Sequence, residues 1–364
     1  MILSRRTIFG VFLKPRASSS FSIFSQPLPH FRAQQPHHSA LCPRSFATMS
    51  KDTIVIFGAT GKQGGSVVDS ILSDPTAASR FHVKAVTRDV STDKAKALAA
   101  KGAELVTGDL NDKESLRPVI KGAYGVFAVT NFWEIFSAEK EVQQGKNTAE
   151  VCKEEGVQHL VWSSLLNINK LTNGVLSKVY HFDGKAEVEE YIRSLDIPAT
   201  FFLAGFFMSN VPGVSFRQIP TGSYALSMPV PDDTPVPLFA AEFDTGKFVK
   251  AIFLKRDATL GKRIYGATTY STPAEMVATF QKVYPETGKH AKFNQLSHEA
   301  FKGIMAATGA PEIIQEEMLQ NMRLMSEFGY YGGDALEPSL AIVDEPLTTW
   351  EEYIKQATAF ASLK

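Results

Sequence analysis

Two short runs hold the residue types that proton transfer needs. Ser163-Ser164 offers hydroxyls, and Tyr180-His181-Phe182-Asp183-Gly184-Lys185 offers a phenol, an imidazole and an ammonium. A Tyr four residues before a Lys lies on the same helical face. The ammonium then lowers the phenol's pKa, so that it passes a proton to or from a carbonyl oxygen. In this chain that place belongs to His181. Tyr180 is one residue further back, about 140° around an ideal helix from Lys185, and aims elsewhere unless the helix starts later. The candidates for proton donation are therefore Lys185 and His181, with Ser163 or Ser164 steadying an oxyanion. A core histidine is the commonest fate of a residue such as His181, and Lys185 can hydrogen-bond a nicotinamide ribose.

Thr53 to Ser66, TIVIFGATGKQGGS, has the form of an anion cradle. The run before Gly58 is β-branched and apolar, as in a strand buried on both faces of a parallel sheet. Gly58 and Gly61 give a turn without a Cβ wall, and Gly64 lets the next helix pack close to the strand. That helix, expected over Gly65 to Leu72, points its positive end at a pyrophosphate. The spacing is G-x-x-G-x-x-G, and a tight turn without a ligand is the structural alternative. A nucleoside-triphosphate loop is excluded, because Gln63 follows Lys62 where a Mg²⁺-binding hydroxyl belongs.

The ends of the later strands supply the rest of a dinucleotide site. Thr87-Arg88 stands where an NAD-binding chain carries an acid. A guanidinium there makes paired hydrogen bonds to a 2′-phosphate, so NADP(H) is expected over NAD(H), although an exposed Arg beside Asp89 is also a plain reading. Lys62 is a second candidate for that phosphate. Gly108-Asp109-Leu110 ends a strand where a carboxylate accepts from an adenine amino group, or where Asp109 caps the helix near Asp112. Thr130-Asn131-Phe132-Trp133 is placed to line ribose and nicotinamide, unless its aromatics are simply buried. No metal site is expected.

The elements that must position these residues alternate. Strands are expected at 53–57, 81–87, 103–107, 124–130, 159–163 and 199–203, and helices at 65–72, 92–101, 112–121, 138–155 and 184–195. Repeated β-α units force parallel strands with right-handed crossovers. The fold class is therefore α/β, a doubly wound parallel Rossmann sheet with a smaller, mainly helical C-terminal domain. Past Gly205 the alternation fails. Pro-rich loops run from Val211 to Pro237, followed by helical patterns at 239–254, 273–284, 298–308, 311–328 and 346–362. Phe206, Phe207, Met208 and Phe216 give an apolar wall beside the sheet's carboxyl edge. Met305, Met318, Met322 and Met325 read as core at helical spacing.

Charge divides the chain. Residues 1–48 hold six basic residues and no acid, leaving 32 basic against 38 acidic residues in the remainder. A body with a net charge of about −6 does not suit nucleic acid. No apolar run approaches the ~18 residues of a membrane span. Of the two cysteines, Cys42 lies in the leader, and Cys152 alone remains in the body, which fits a reducing compartment. The Ser-, Arg- and Pro-rich leader has the composition of a disordered mitochondrial transit peptide cleaved after Phe46. The alternative is translation from Met49, with a cytoplasmic or nuclear product. The expected organisation is a leader at 1–48, an NADP(H)-binding Rossmann domain at 49–205 to which some later segments return, and a substrate or partner domain at 206–364.

FGATGKQGGSVV, AVTRD, TGDL, VTNFWE, EVQQGK and HFDGKAEVEEYI resemble the NmrA-like family of atypical short-chain dehydrogenases/reductases, in particular its human-type NADP(H)-sensing members. The resemblance runs from Thr53 to the C-terminus. It implies NADP(H) contacts at Gly58, Ala59, Thr60, Gly61, Lys62 and Gln63, at Arg88 and Asp109, at Thr130, Asn131 and Phe132, at Lys140 and Lys185, and at the turn Ala204, Gly205, Phe206 and Phe207. With Gly64 and Leu110 these form the expected cofactor site.

Members of that family divide in function. Some are redox sensors whose NADP(H) occupancy changes their association with transcription factors or metabolic enzymes, and others are reductases of quinones, dyes or pathway intermediates. The missing phenol favours an NADP(H)-responsive regulator acting through a protein partner or a homodimer. The aromatic wall favours an NADPH-dependent oxidoreductase of a quinone, aromatic or carbonyl metabolite. Family members usually lack a transit peptide, and the leader departs from that pattern.

Overall fold

The computed structural model describes residues 50–363, and the leader, with every expectation placed on it, lies outside the described residues. Asp52–Ile56 (β1) is followed by Lys62–Ser73 (α1), Pro75–Arg80 (α2) and Phe81–Thr87 (β2). Then come Asp93–Ala100 (α3), Glu104–Thr107 (β3), Lys113–Ile120 (α4) and Gly125–Ala128 (β4). Phe132–Ile135 (α5) and Ala138–Glu154 (α6) lead to His159–Ser164 (β5). Ile168–Leu171 (α7), Tyr180–Ser194 (α8) and Ala199–Ala204 (β6) complete the alternation.

The central sheet is parallel throughout. Its seventh strand comes from the C-terminal half, Arg263–Gly266, paired with β6. From that edge the order runs through β6, β5, β4, β1 and β2 to β3. The chain reverses direction of winding between β1 and β4, which opens a crevice at their carboxyl ends. Helices cover both faces because both faces of β1, β4, β5 and β6 are apolar. Ala241–Leu254 crosses α1 closely. The Gly246 N–H donates to Ser66 Oγ (2.9 Å), and a Cβ on Gly246 would stand 2.0 Å from Ser66 O.

Several expected boundaries move. The run 211–237, read as loop from its prolines, contains Phe216–Gln218, Tyr224–Met228 and the start of Val236–Phe239. These strands join two small three-stranded sheets; most of the prolines flank the strands, and Pro237 sits inside Val236–Phe239, opposite Tyr270. The pattern at 346–362 splits into Trp350–Gln356 and a 3₁₀ turn at Thr358–Leu363. α8 begins at Tyr180 rather than Gly184. Gly184 is an interior residue that lets α6 approach, since a Cβ there would lie 3.3 Å from Glu141 Oε2.

His159 gives the sheet a pH dependence. It is fully buried on β5, with Nε2 2.8 Å from Thr200 Oγ1 and Nδ1 without a partner. Burial, helped by Arg256, pushes its pKa down from 6.5 to about 4. The unfolded chain therefore takes up a proton that the folded chain refuses. The stability from this site is complete above about pH 6.5 and is lost as pH falls toward 4. Urea midpoints measured across that window should decline, and His159→Gln should flatten the decline; an unchanged slope would rule out His159 as its source.

Candidate dinucleotide site and neighbouring cleft

The glycine run forms the cradle its spacing predicts. Gly58 adopts φ +62°, and the Gly61 N–H closes the turn on Gly58 O at 2.9 Å. Gly61 is the N-cap of α1, with no side chain bonded to the helix end. The first turn therefore starts at Lys62, three residues earlier than expected. The first N–H to bond back along the helix is that of Gly65, to Gly61 O (2.9 Å). The N–H groups of Lys62, Gln63 and Gly64 are left at the open positive end, an anion site. A Cβ on Gly64 would stand 2.3 Å from Gly58 O. Only hydrogen fits there.

Beside the cradle a cleft of about 480 Å³ runs along the crevice, walled by Gly58, Thr60, Arg88, Asp109, Leu110 and Asn131 among others. Arg88 is exposed and pairs with Glu134 across it. Thr92 and Lys94, at the start of α3, and Gln144 on α6 line the same cleft; sequence reading passed them over. A cation six residues past Arg88, in the first turn of a helix, was the available signal for Lys94. Asp109 folds on itself, accepting from Asn111 N (2.9 Å) and Nδ2 (2.8 Å), while Asp112 caps α4 through Glu114 N. Of the two readings of Asp109, the capping role goes to Asp112 and the cleft position to Asp109.

Other expected members sit elsewhere. Lys62 donates to Ser209 Oγ (2.5 Å) and does not line the cleft, so Arg88 and Lys94 are the cations there. Lys140 is exposed on the first turn of α6 and lines neither cleft. Gly205 bonds Gly266 O (2.8 Å), and the phenols of Tyr330 and Tyr331 donate to Ala204 O (3.3 Å) and Leu203 O (3.0 Å). Phe206 and Phe207 form a two-residue strand on Val236–Phe239, with Phe206 buried. Neither of them lines either of the two clefts. Ala59 is buried beneath the cradle.

The proton-transfer candidates are separated by the period of two along β5. Ser163 donates to Gln63 Oε1 (2.9 Å), on the α1 side. Ser164 points the other way and donates to buried Glu189 Oε2 (2.7 Å), which also holds Arg193 and Arg263, so it is not an oxyanion donor. Lys185 is buried on α8, paired with Glu141 and donating to Thr130 Oγ1 (3.1 Å). Thr130 Oγ1 in turn donates to Glu141 Oε1 (2.7 Å). α8 starts at Tyr180 rather than later, so Tyr180 stays about 140° around the helix from Lys185.

A second cleft of about 530 Å³ lies between α5, α8 and the later helix Glu312–Glu327; His181 does not line it but contacts its lining residue Glu317. Phe132, Phe136 and Tyr180 form one wall and Ile313, Ile314 and Glu317 the other. The His181 ring lies 4.9 Å from that of Trp133 and 5.9 Å from that of Phe132. Its Nδ1 is 2.7 Å from Glu317 Oε1, and its Nε2 is 3.2 Å from Asn321 Nδ2. Glu141 and Glu317, both fully buried, were not singled out in the sequence. Glu317, Gln320, Asn321 and Leu324 share one helical stripe, and polar groups on a buried stripe were the legible sign.

Residues 50–354 match the NmrA-like family. The NmrA-like family domain-containing oxidoreductase malD of Malbranchea aurantiaca is 34% identical over 261 residues, 68% of this chain and 76% of its own. Its counterpart lnaB of Aspergillus flavus is 31% identical over 306 residues, 79% of this chain and 88% of its own. Among solved structures, NmrA, a negative transcriptional regulator, in complex with NADP superposes with a TM-score of 0.70 at 23% identity, covering 84% of this chain and 95% of that one. The triphenylmethane reductase of Citrobacter sp. complexed with NADP(H) gives 0.66 at 19% identity, covering 85% and 100%. At these identities the two structures speak for the fold alone.

Proposed function

We propose, from the premise that this chain belongs to the NmrA-like family, that it is an NADP(H)-binding oxidoreductase whose acceptor lies in the aromatic cleft. The observation that carries the reading is that both clefts border the segment 131–136: Asn131, Glu134 and Ile135 line the first and Phe132 and Phe136 the second. The glycine cradle, the open helix end and the two cations Arg88 and Lys94 fit a phosphorylated dinucleotide, and Gly64 lets the helix end sit against the turn, where a Cβ would stand 2.3 Å from Gly58 O. Bound there, the cofactor supplies a hydride. The α1 N-terminus would hold the pyrophosphate, Arg88 and Lys94 the 2′-phosphate, and Thr130 with Lys185 the ribose side.

Binding of a 2′-phosphate draws Arg88 away from Glu134. Arg88→Ala should therefore reduce the preference for NADPH over NADH roughly tenfold or more, the worth of one or two charge-assisted hydrogen bonds. Fluorescence titrations with both cofactors check this; an unaltered ratio rejects Arg88 as the selector.

One feature favours a second reading. Lys185, His181 and Ser164 are all hydrogen-bonded within the protein, and the phenol of the usual pair is missing. A regulator needs no proton donor. Opening of the Arg88–Glu134 pair would free α5, with its exposed Trp133 and Phe136, for a partner or a second copy. NADPH consumption with a panel of quinones, aldehydes and conjugated cations supports the oxidoreductase. No consumption with any acceptor, together with a cofactor-dependent change of mass in solution, supports the regulator.

A further inference from the structure

The end of β2 lacks the acid of an NAD-type site, but the fold brings one there from a distant turn. Three carboxylates line the dinucleotide cleft, those of Asp89, Asp109 and Glu134. Asp89 is turned onto the Ser91 N–H (2.8 Å) and Asp109 onto Asn111 N (2.9 Å) and Nδ2 (2.8 Å), each within its own loop. Glu134 is the one of the three that pairs with a cation of the cleft, accepting from Arg88 Nη1 across 46 positions of sequence. The cation it holds is the one placed at the 2′-phosphate.

A built turn presents this carboxylate. α5 is four residues long, with the Glu134 N–H on Asn131 O (3.2 Å) and the Phe136 N–H on Phe132 O (2.7 Å). Phe136 closes it at φ 49°, in the left-handed region. A residue with a Cβ keeps that conformation only where its surroundings fix it. Here the fixing is aromatic, since the Phe136 ring lies 6.3 Å from that of Trp133 and 6.4 Å from that of Phe132. Asn131 and Ile135 line the same cleft as Glu134, so this edge of the turn faces the cofactor.

We propose that Glu134 is a specificity residue of the dinucleotide site, one that opposes the 2′-phosphate of NADP(H) and gives NAD(H) the acceptor that β2 lacks. Its effect rests on the NADP(H) reading, with Arg88 at the 2′-phosphate. A phosphate that takes the guanidinium either breaks the Glu134 pair or sets two anions on one cation. In both cases the carboxylate subtracts from NADP(H) affinity. An unphosphorylated ribose hydroxyl carries no charge and donates to a carboxylate, as it does to the strand-end acid of an NAD-binding site. The cleft therefore discriminates less between the two cofactors than Arg88 and Lys94 by themselves would make it do.

Fluorescence titrations of the whole chain with NADPH and NADH test this. The pair is exposed, with 67% and 48% of the two side chains accessible, and an exposed charge contact is worth a factor of a few. Glu134→Gln, which keeps a carbonyl oxygen in place, should tighten NADPH about fivefold and should not tighten NADH. In an Arg88→Ala background the same substitution should change NADPH affinity by less than about twofold, because no guanidinium is left to contest. Adenosine 2′,5′-bisphosphate against adenosine 5′-monophosphate should repeat the pattern, since the contest lies at the ribose. Unchanged NADPH affinity in Glu134→Gln, or an equal gain by NADH, overturns the proposal and leaves the NADP(H) reading standing; the equal gain would place the repulsion on the pyrophosphate that both cofactors share. An NADPH-to-NADH ratio that Arg88→Ala does not alter overturns the Arg88 assignment and the proposal together.

Discussion

Truncating Glu141 to alanine should cost about 3–5 kcal/mol of folding stability, because it strands an ammonium in the interior. Lys185 is buried, and its partners are the Glu141 carboxylate and Thr130. Water cannot replace the lost carboxylate without opening the packing of α6 on α8. These helices touch closely, for a Cβ on Gly145 would stand 2.4 Å from Val188 Cγ2. Replacing both partners with apolar residues of similar size, Glu141→Leu with Lys185→Met, should recover most of the loss, since a buried ion pair contributes little net stability over a well-packed apolar pair. Urea unfolding of the three variants measures this. A single-variant loss of under ~1 kcal/mol would mean that the ammonium finds another partner or reaches solvent.

Gly64→Ala is the second large effect, and it falls on binding. The new methyl would meet Gly58 O at 2.3 Å, Gly58 C at 2.5 Å and Phe57 O at 2.6 Å. All three are backbone atoms of the strand-to-helix turn, so the helix end must move. With overpacking costs of about 1–3 kcal/mol and tenfold per 1.4 kcal/mol, NADPH affinity should fall about a hundredfold. Gly61→Ala, whose Cβ would lie 3.2 Å from Gly58 O, should lose far less. Equal losses at the two positions would refute the close-packing account. Unchanged binding by Gly64→Ala would remove the cradle from the site.

Much of the scaffold could be read directly. The apolar strand before Gly58, the alternation through residue 204 and the long helix at 138–154 are local patterns, and each element appears within a few residues of its expected place. The crevice follows from them, since strand order in a doubly wound sheet locates the ligand side. Arg88, Asp109 and Asn131 stand on it because they follow strand ends. Two departures share one cause. Proline content hid the strands after residue 215, and Gly184 resembled a helix start. In each case packing by a distant segment overrode local preference.

The amino-acid sequence alone determined six of the sheet's seven strands, the anion cradle and the residue classes at the strand ends, because periodicity and glycine spacing act over a few residues; the seventh, Arg263–Gly266, joins through pairing with a distant strand. Only the tertiary structure decided which charges meet. Glu141 reaches Lys185 across 44 positions and Glu317 reaches His181 across 136, distances at which no local pattern carries information. Burial is what gives those meetings their weight, since the same groups in water would interact by little more than ~1 kcal/mol.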